Sequence, residues 1–203
     1  MLGRHLFRKS GPSIPIGEKW TFTSNGTWVA PATGTYKVTL VGGGGRGGNG
    51  GNGSDSEYGT GGTGGSAGQL KSASLVFNKD QEIPIVIGTT TKSSSFGNYI
   101  TAKGGSNGSA GTTVFSFRDG NGGGGGTGAN GYGTAVTAGN GSSGSGLNHV
   151  KYSHGGGGRG GTGYGAGGGG GGGSARAQTG YTTYGGNGGA GANGVCIIEY
   201  MGR

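Results

Sequence analysis

The chain has 203 residues, of which 62 are Gly and 4 are Pro, and its formal net charge is +8. Collagen needs Gly at every third position and abundant Pro, and runs such as 42–45 and 167–173 break that period. The charge is modest for the length and the apolar residues gather in short alternating segments, so an ordered fold is expected in place of a disordered chain.

Residues 1–17 contain Gly11-Pro12 and Pro15 and show no periodicity, which predicts an extended N-terminal anchoring arm ahead of a glycine-rich domain over 18–203. Arg4, Leu6, Phe7, Arg8 and Lys9 give this arm a basic and apolar character suited to docking on a larger assembly. Strand signals follow from Trp20. Trp20-Thr-Phe-Thr23 alternates, Ser24-Asn-Gly26 marks a turn, and Thr27-Trp-Val29 resumes before the turn at 31–34. From Thr35 to Val41, Tyr36, Val38 and Leu40 share one face. Leu70 to Phe77 and Glu82 to Ile87 read as further strands, with Pro84 placing the latter at an edge or a bulge because it lacks an amide donor. Tyr99 to Ala102 and Thr112 to Arg118 follow, the latter with Thr113, Phe115 and Phe117 aligned. Val195 to Met201 is apolar on both faces and is expected to be central and buried, with Cys196, the only cysteine, a small hydrophobe within it. No segment keeps helical spacing, and Gly costs about 1 kcal/mol against Ala in a helix. The expected fold is all-β: a compact, jelly-roll-like β-sandwich with little or no α-helix.

Glycine tracts at about 42–53, 59–68, 104–111, 120–133, 155–173 and 185–194 separate these strands. Flexible linkers do not usually recur as matched tracts inside one small domain. Polyproline-II-like helices suit them better, with about 3.1 Å rise per residue and three residues per turn. Without Cβ atoms such helices pack closely, and each outward amide can bond to a neighbour. The expected insertion is a polyglycine-II bundle with its connecting loops exposed at the ends.

The segment Trp20-Thr-Phe-Thr-Ser-Asn-Gly-Thr-Trp28-Val-Ala-Pro31, followed by Gly34-Thr-Tyr-Lys-Val-Thr-Leu-Val-Gly-Gly-Gly-Gly45, resembles the opening of the glycine-rich domain family of bacteriophage tail and fibre proteins. Ser93-Ser-Ser-Phe-Gly97, Ile100-Thr-Ala-Lys-Gly-Gly105 and Gly191-Ala-Asn-Gly-Val-Cys-Ile-Ile-Glu-Tyr200 are similar to that family's middle and end, so the resemblance spans about 18–201. The tracts are also similar in kind to polyglycine-II phage tail fibre adhesins, whose inter-helix loops contact the bacterial surface. The resemblance implies a virion protein made in the host cytoplasm and located in the tail fibre, tip or capsid surface. It implies other virion proteins as partners through the arm, a bacterial surface glycan or outer-surface protein as receptor, and a possible homotrimer.

Enzymatic signals are weak, and no cofactor is expected. Matches to G-x-G-x-x-G are inevitable here and none opens a strand-to-helix unit. His149 and His154 lack nearby further ligands for a metal, and Asp55 with Glu57 reads as a polar loop tip more simply than as an acid–base pair. Arg46 and Arg159 each follow four glycines but lack the interleaved aromatics of RNA-binding segments, so no nucleic acid is expected. No apolar run approaches a membrane span, so no insertion is expected. Asn25, Asn52, Asn107 and Asn140 begin glycosylation sequons that this composition produces by chance. Residues 54–58, 145–154 and 174–184 remain as candidate receptor-binding loops. Within them, Asp55, Glu57, Tyr58, His149, Tyr152, His154, Arg176, Tyr181 and Tyr184 supply stacking faces and hydrogen bonds. The competing reading is that the tyrosines cap the bundle ends, in a purely structural capsid fibre, collar or baseplate decoration.

Overall fold

A computed structural model describes residues 14–116, 120–147 and 151–203. These residues are all-β, with no helix among them: β1 (Lys19–Phe22), β2 (Gly26–Val29), β3 (Gly34–Val41), β4 (Glu57–Gly59), β5 (Leu70–Phe77), β6 (Glu82–Val86), β7 (Ser94–Phe96), β8 (Ile100–Ala102), β9 (Thr113–Phe115), β10 (Tyr132–Thr137), β11 (Thr162–Tyr164) and β12 (Val195–Gly202). Two four-stranded sheets run in the orders β1-β12-β3-β5 and β2-β6-β7-β8, and two small sheets pair β4 with β9 and β10 with β11. Every pairing is antiparallel. The arm residues Arg4, Leu6, Phe7, Arg8 and Lys9 lie outside the described residues. Ile14 packs against the core, and the Gly17 amide donates to Tyr200 O at 2.8 Å.

The period-two pattern sends Tyr36, Val38 and Leu40 of β3 and Cys196, Ile198 and Tyr200 of β12 to one side. There they meet Trp28, Ile83, Ile85 and Phe96 of the second sheet in one hydrophobic cluster. Trp28 stands edge-on to Tyr36 with ring centroids 4.8 Å apart, and the Tyr36 hydroxyl donates to Ala32 O at 2.7 Å. Each large side chain buried here stabilises the fold by about 1.5–3 kcal/mol. β12 lies between β1 and β3, as its two-faced apolarity predicts. Cys196 is fully buried, and burial pushes its thiol up to about 12.

Pro84 departs from expectation. β6 is an interior strand, between β2 and β7, and its register is regular. Pro84 O accepts the amide of Gly97 at 2.8 Å, so the missing N–H points the same way, to where β7 has ended at Phe96 and the chain turns through Gly97 at φ 49°. No ladder bond is lost there, which is why proline is tolerated inside this sheet.

Eight extended segments, at 42–53, 59–69, 103–112, 120–131, 138–146, 153–162, 165–175 and 184–194, bond to one another laterally. They are tracts one to eight below. Two differences from the six expected tracts emerge. The run 155–173 folds back on itself at β11, where Gly163 and Gly165 take φ 99° and 69°, and 138–146 is an additional tract. Along each tract the acceptor changes with a period of three. In the first, Gly42, Gly45, Gly48 and Gly51 donate to the second tract while Gly44, Gly47, Gly50 and Gly53 donate to the eighth tract or Thr183 just before it.

The seventh tract is the axis. Gly167, Gly170 and Gly173 donate to the fourth tract, Gly168, Gly171 and Ser174 to the first, and Gly169 and Gly172 to the fifth, at 2.7–3.1 Å. Its carbonyls accept from the second, sixth and eighth, and these six neighbours bond to one another in a closed ring. A Cβ on any residue from Gly167 to Gly173 would lie 1.9–2.1 Å from a carbonyl oxygen. None of these glycines has positive φ, so close backbone approach is what demands glycine here.

Candidate functional site

The register fixes where the loops go. Tracts that follow one another along the chain alternate in direction, with odd-numbered tracts running away from the large sheets and even-numbered ones returning. The first leaves the end of β3, the second runs into β5, the third leaves β8 and the eighth runs into β12. The described residues of four connections therefore gather at the opposite end: 53–59, 112–116 with 120, 146–147 with 151–153, and 175–184.

The three loops proposed from sequence meet there. Gly53 and Thr183 exchange backbone hydrogen bonds at 3.0 Å, as do Ser145 and Tyr184 at 2.8 and 2.9 Å. The Arg176 guanidinium lies 4.0 Å from the Asp55 carboxylate, its Nε donates to Asp55 O, and Thr179 donates to Asp55 Oδ1 at 3.4 Å. Ser54 closes the turn by donating to Glu57 Oε2 at 2.9 Å. Glu57 and Tyr58 belong to β4, opposite Phe115 and Val114 of β9. His154 Nδ1 accepts the Ala175 amide at 3.0 Å, which leaves Nε2 as the donor to Gly146 O at 3.0 Å. With both ring nitrogens engaged, His154 is a clamp between tract ends. His149 lies outside the described residues, and no group of three His, Cys, Asp or Glu gathers among the described residues.

The tyrosines divide. Tyr152 lies over Gly120, where an added Cβ would meet its ring at 2.6 Å and Arg176 Cβ at 2.8 Å. Tyr181 and Tyr184 are more than half exposed, and so are Phe115 and Leu147 at the same end. Sequence reasoning named neither of these last two, although Leu147 lies within the proposed loop 145–154. Phe115 looked like one side of a strand, and only the alternation of tract directions shows that β9 sits at this tip. No protein-family model matches the chain, and comparison with curated proteins gives no match.

Proposed function

We propose that the chain is a bacteriophage virion protein, a fibre or tail-tip component that binds the bacterial host surface through the far end of its bundle. In this reading the tracts are polyglycine-II helices mounted on a jelly-roll-like β-sandwich. Their threefold alternation of hydrogen-bond partners supports the first part, and the shared core of the two four-stranded sheets supports the second. The observation that carries the functional reading is the gathering of Phe115, Leu147, Tyr181 and Tyr184, exposed, at the end remote from the large sheets. Exposed aromatics on a rigid support make a low-entropy contact surface for a sugar ring or an outer-surface protein. The arm, including Arg4, Leu6, Phe7, Arg8 and Lys9, joins the protein to other virion components, with a homotrimer as the fibre-like arrangement. The protein acts by binding, without catalysis, cofactor, nucleic acid or membrane insertion.

Purified protein is expected to bind host cells and compete with phage adsorption. Replacing Tyr181 and Tyr184 by Ala should abolish both while incorporation into particles stays normal. Unimpaired adsorption by particles carrying that variant would favour a structural virion protein. That second reading draws on His154, Tyr152 and the Asp55–Arg176 pair, all of which hold the tip together.

A further inference from the structure

Six of the eight asparagines in the tracts, three of which begin sequons, share one geometry. Oδ1 of Asn49 accepts the Gly188 amide and that of Asn52 the Gly185 amide, both at 3.0 Å. Asn121 and Asn130 accept the amides of Ser153 and Thr162, also at 3.0 Å. Asn140 accepts from Gly160 at 2.8 Å and Asn107 from Arg46 at 2.9 Å. All six side chains lie on the exposed surface, and each takes an amide of the adjacent tract. Asn49 and Asn52 are three residues apart and so are their partners; Asn121 and Asn130 are nine apart and so are theirs. These spacings are multiples of the tract repeat, so each pair faces one groove.

Such a groove accepts another strand when nothing fills it. The third tract lies outside the ring, against the first and second, with Gly105, Gly108 and Gly111 donating to carbonyls of the first at 2.7–2.8 Å. A bundle whose outer backbone groups stay open has the same liability as a bare sheet edge, since any further strand can add to it. We propose that the asparagines terminate the bundle. Each supplies the acceptor that an added strand's carbonyl would offer, and its side chain fills the space that strand would need. The strand kept out is a glycine tract of a second copy of this chain. This inference rests on hydrogen bonds and is independent of host binding.

The test compares the full chain with Asn121→Gly/Asn130→Gly and Asn121→Asp/Asn130→Asp in sedimentation velocity across a dilution series. The glycine pair should associate more as concentration rises. The aspartate pair, which keeps a side-chain oxygen, should sediment like the parent. A glycine pair that matches the parent at every concentration, or an aspartate pair that associates as strongly, would overturn the proposal. Should the glycine pair fail to fold, Asn130→Gly alone should speed amide exchange at Thr162 about fivefold to tenfold, the change expected for one net hydrogen bond, and add weaker self-association. Unchanged exchange or unchanged sedimentation in that variant would equally sink it.

Discussion

Gly170 and Gly156 carry the same absent side chain and have opposite tolerances. A Cβ at Gly170 would lie 2.0 Å from Gly62 O, and backbone on six sides leaves the neighbours nowhere to move; a Cβ at Gly156 meets nothing within 4 Å. Gly170→Ala is expected to destabilise by more than about 3 kcal/mol, the upper range for overpacking. Gly156→Ala should instead stabilise by about 0.4–1 kcal/mol, because φ there is not positive and alanine restricts the unfolded chain. Denaturant melts of the two variants check this, and equal destabilisation would mean that tract conformation matters more than spacing. Cys196 offers a second residue-scale test. Its thiol is raised by burial from 9.0 to about 12, and burial also raises Tyr36. The folded state therefore holds protons that the unfolded chain releases. This stability is fully present below pH 9 and is lost as pH rises from there through about 12, by up to about 1.4 kcal/mol per pH unit for the thiol. Melts over that range should show the decline, and Cys196→Ala should flatten it while lowering stability at pH 7.

At the scale of elements, the demand for glycine follows the number of neighbours. The central tract is glycine at every position from 167 to 173. The first tract, with neighbours on most sides, has a larger residue at Arg46, Asn49 and Asn52, one position in three. The outer third tract depends mainly on Gly105, Gly108 and Gly111, where a Cβ would lie 2.1–2.3 Å from carbonyls of the second tract. This rule explains what was legible. β3 declared itself because side chains alternating between core and surface leave a period-two pattern, and β12 because a run apolar on both faces suits a strand with a neighbour on either side. Tract five, 138–146, went unread because it is only intermittently glycine, and the period-three signal of Gly141 and Gly144 is easily hidden among serines. Pro84 was misplaced because its missing donor faces a strand that has just ended, a fact of topology. The tip loops were legible as polar, Tyr-bearing interruptions, and Leu147 was passed over within one of them as an apolar residue, whereas Phe115 was not legible, since only the folded register brings it there. The third tract also yields a prediction. Ser109 and Thr112 donate to the hydroxyls of Thr63 and Thr60 at 2.7 and 2.8 Å. Thr60→Val/Thr63→Val keeps the shape and removes these acceptors, so amide exchange at Ser109 and Thr112 should accelerate while Gly108 and Gly111 stay protected. The cost should fall at the low end of about 0.5–1.5 kcal/mol per bond, because water can replace the acceptors.

The whole molecule joins two parts held together by different forces. In the large sheets, large apolar side chains leave water; in the bundle, peptide groups exchange water for one another, and the buried apolar side chains are alanines such as Ala138, Ala166 and Ala192. This difference has a calorimetric signature. Exposing apolar surface raises the heat capacity on unfolding, whereas exposing polar surface lowers it, and ordinary domains balance at about 12–15 cal/mol/K per residue. A chain with 62 glycines among 203 residues, most of them in the bundle, should fall clearly below that range, to roughly half of it if the bundle contributes little. Its stability curve should then be flatter, with less weakening on cooling than a core-dominated domain shows. Scanning calorimetry at several pH values gives the heat capacity directly from the dependence of unfolding enthalpy on melting temperature. An ordinary value would mean that the bundle is not the hydrogen-bonded body described here, and a tip built on it would have no rigid support. A low value with a single cooperative transition would mean that backbone packing and side-chain packing stabilise one unit, in which the large sheets help position the loops at the far end of the tracts.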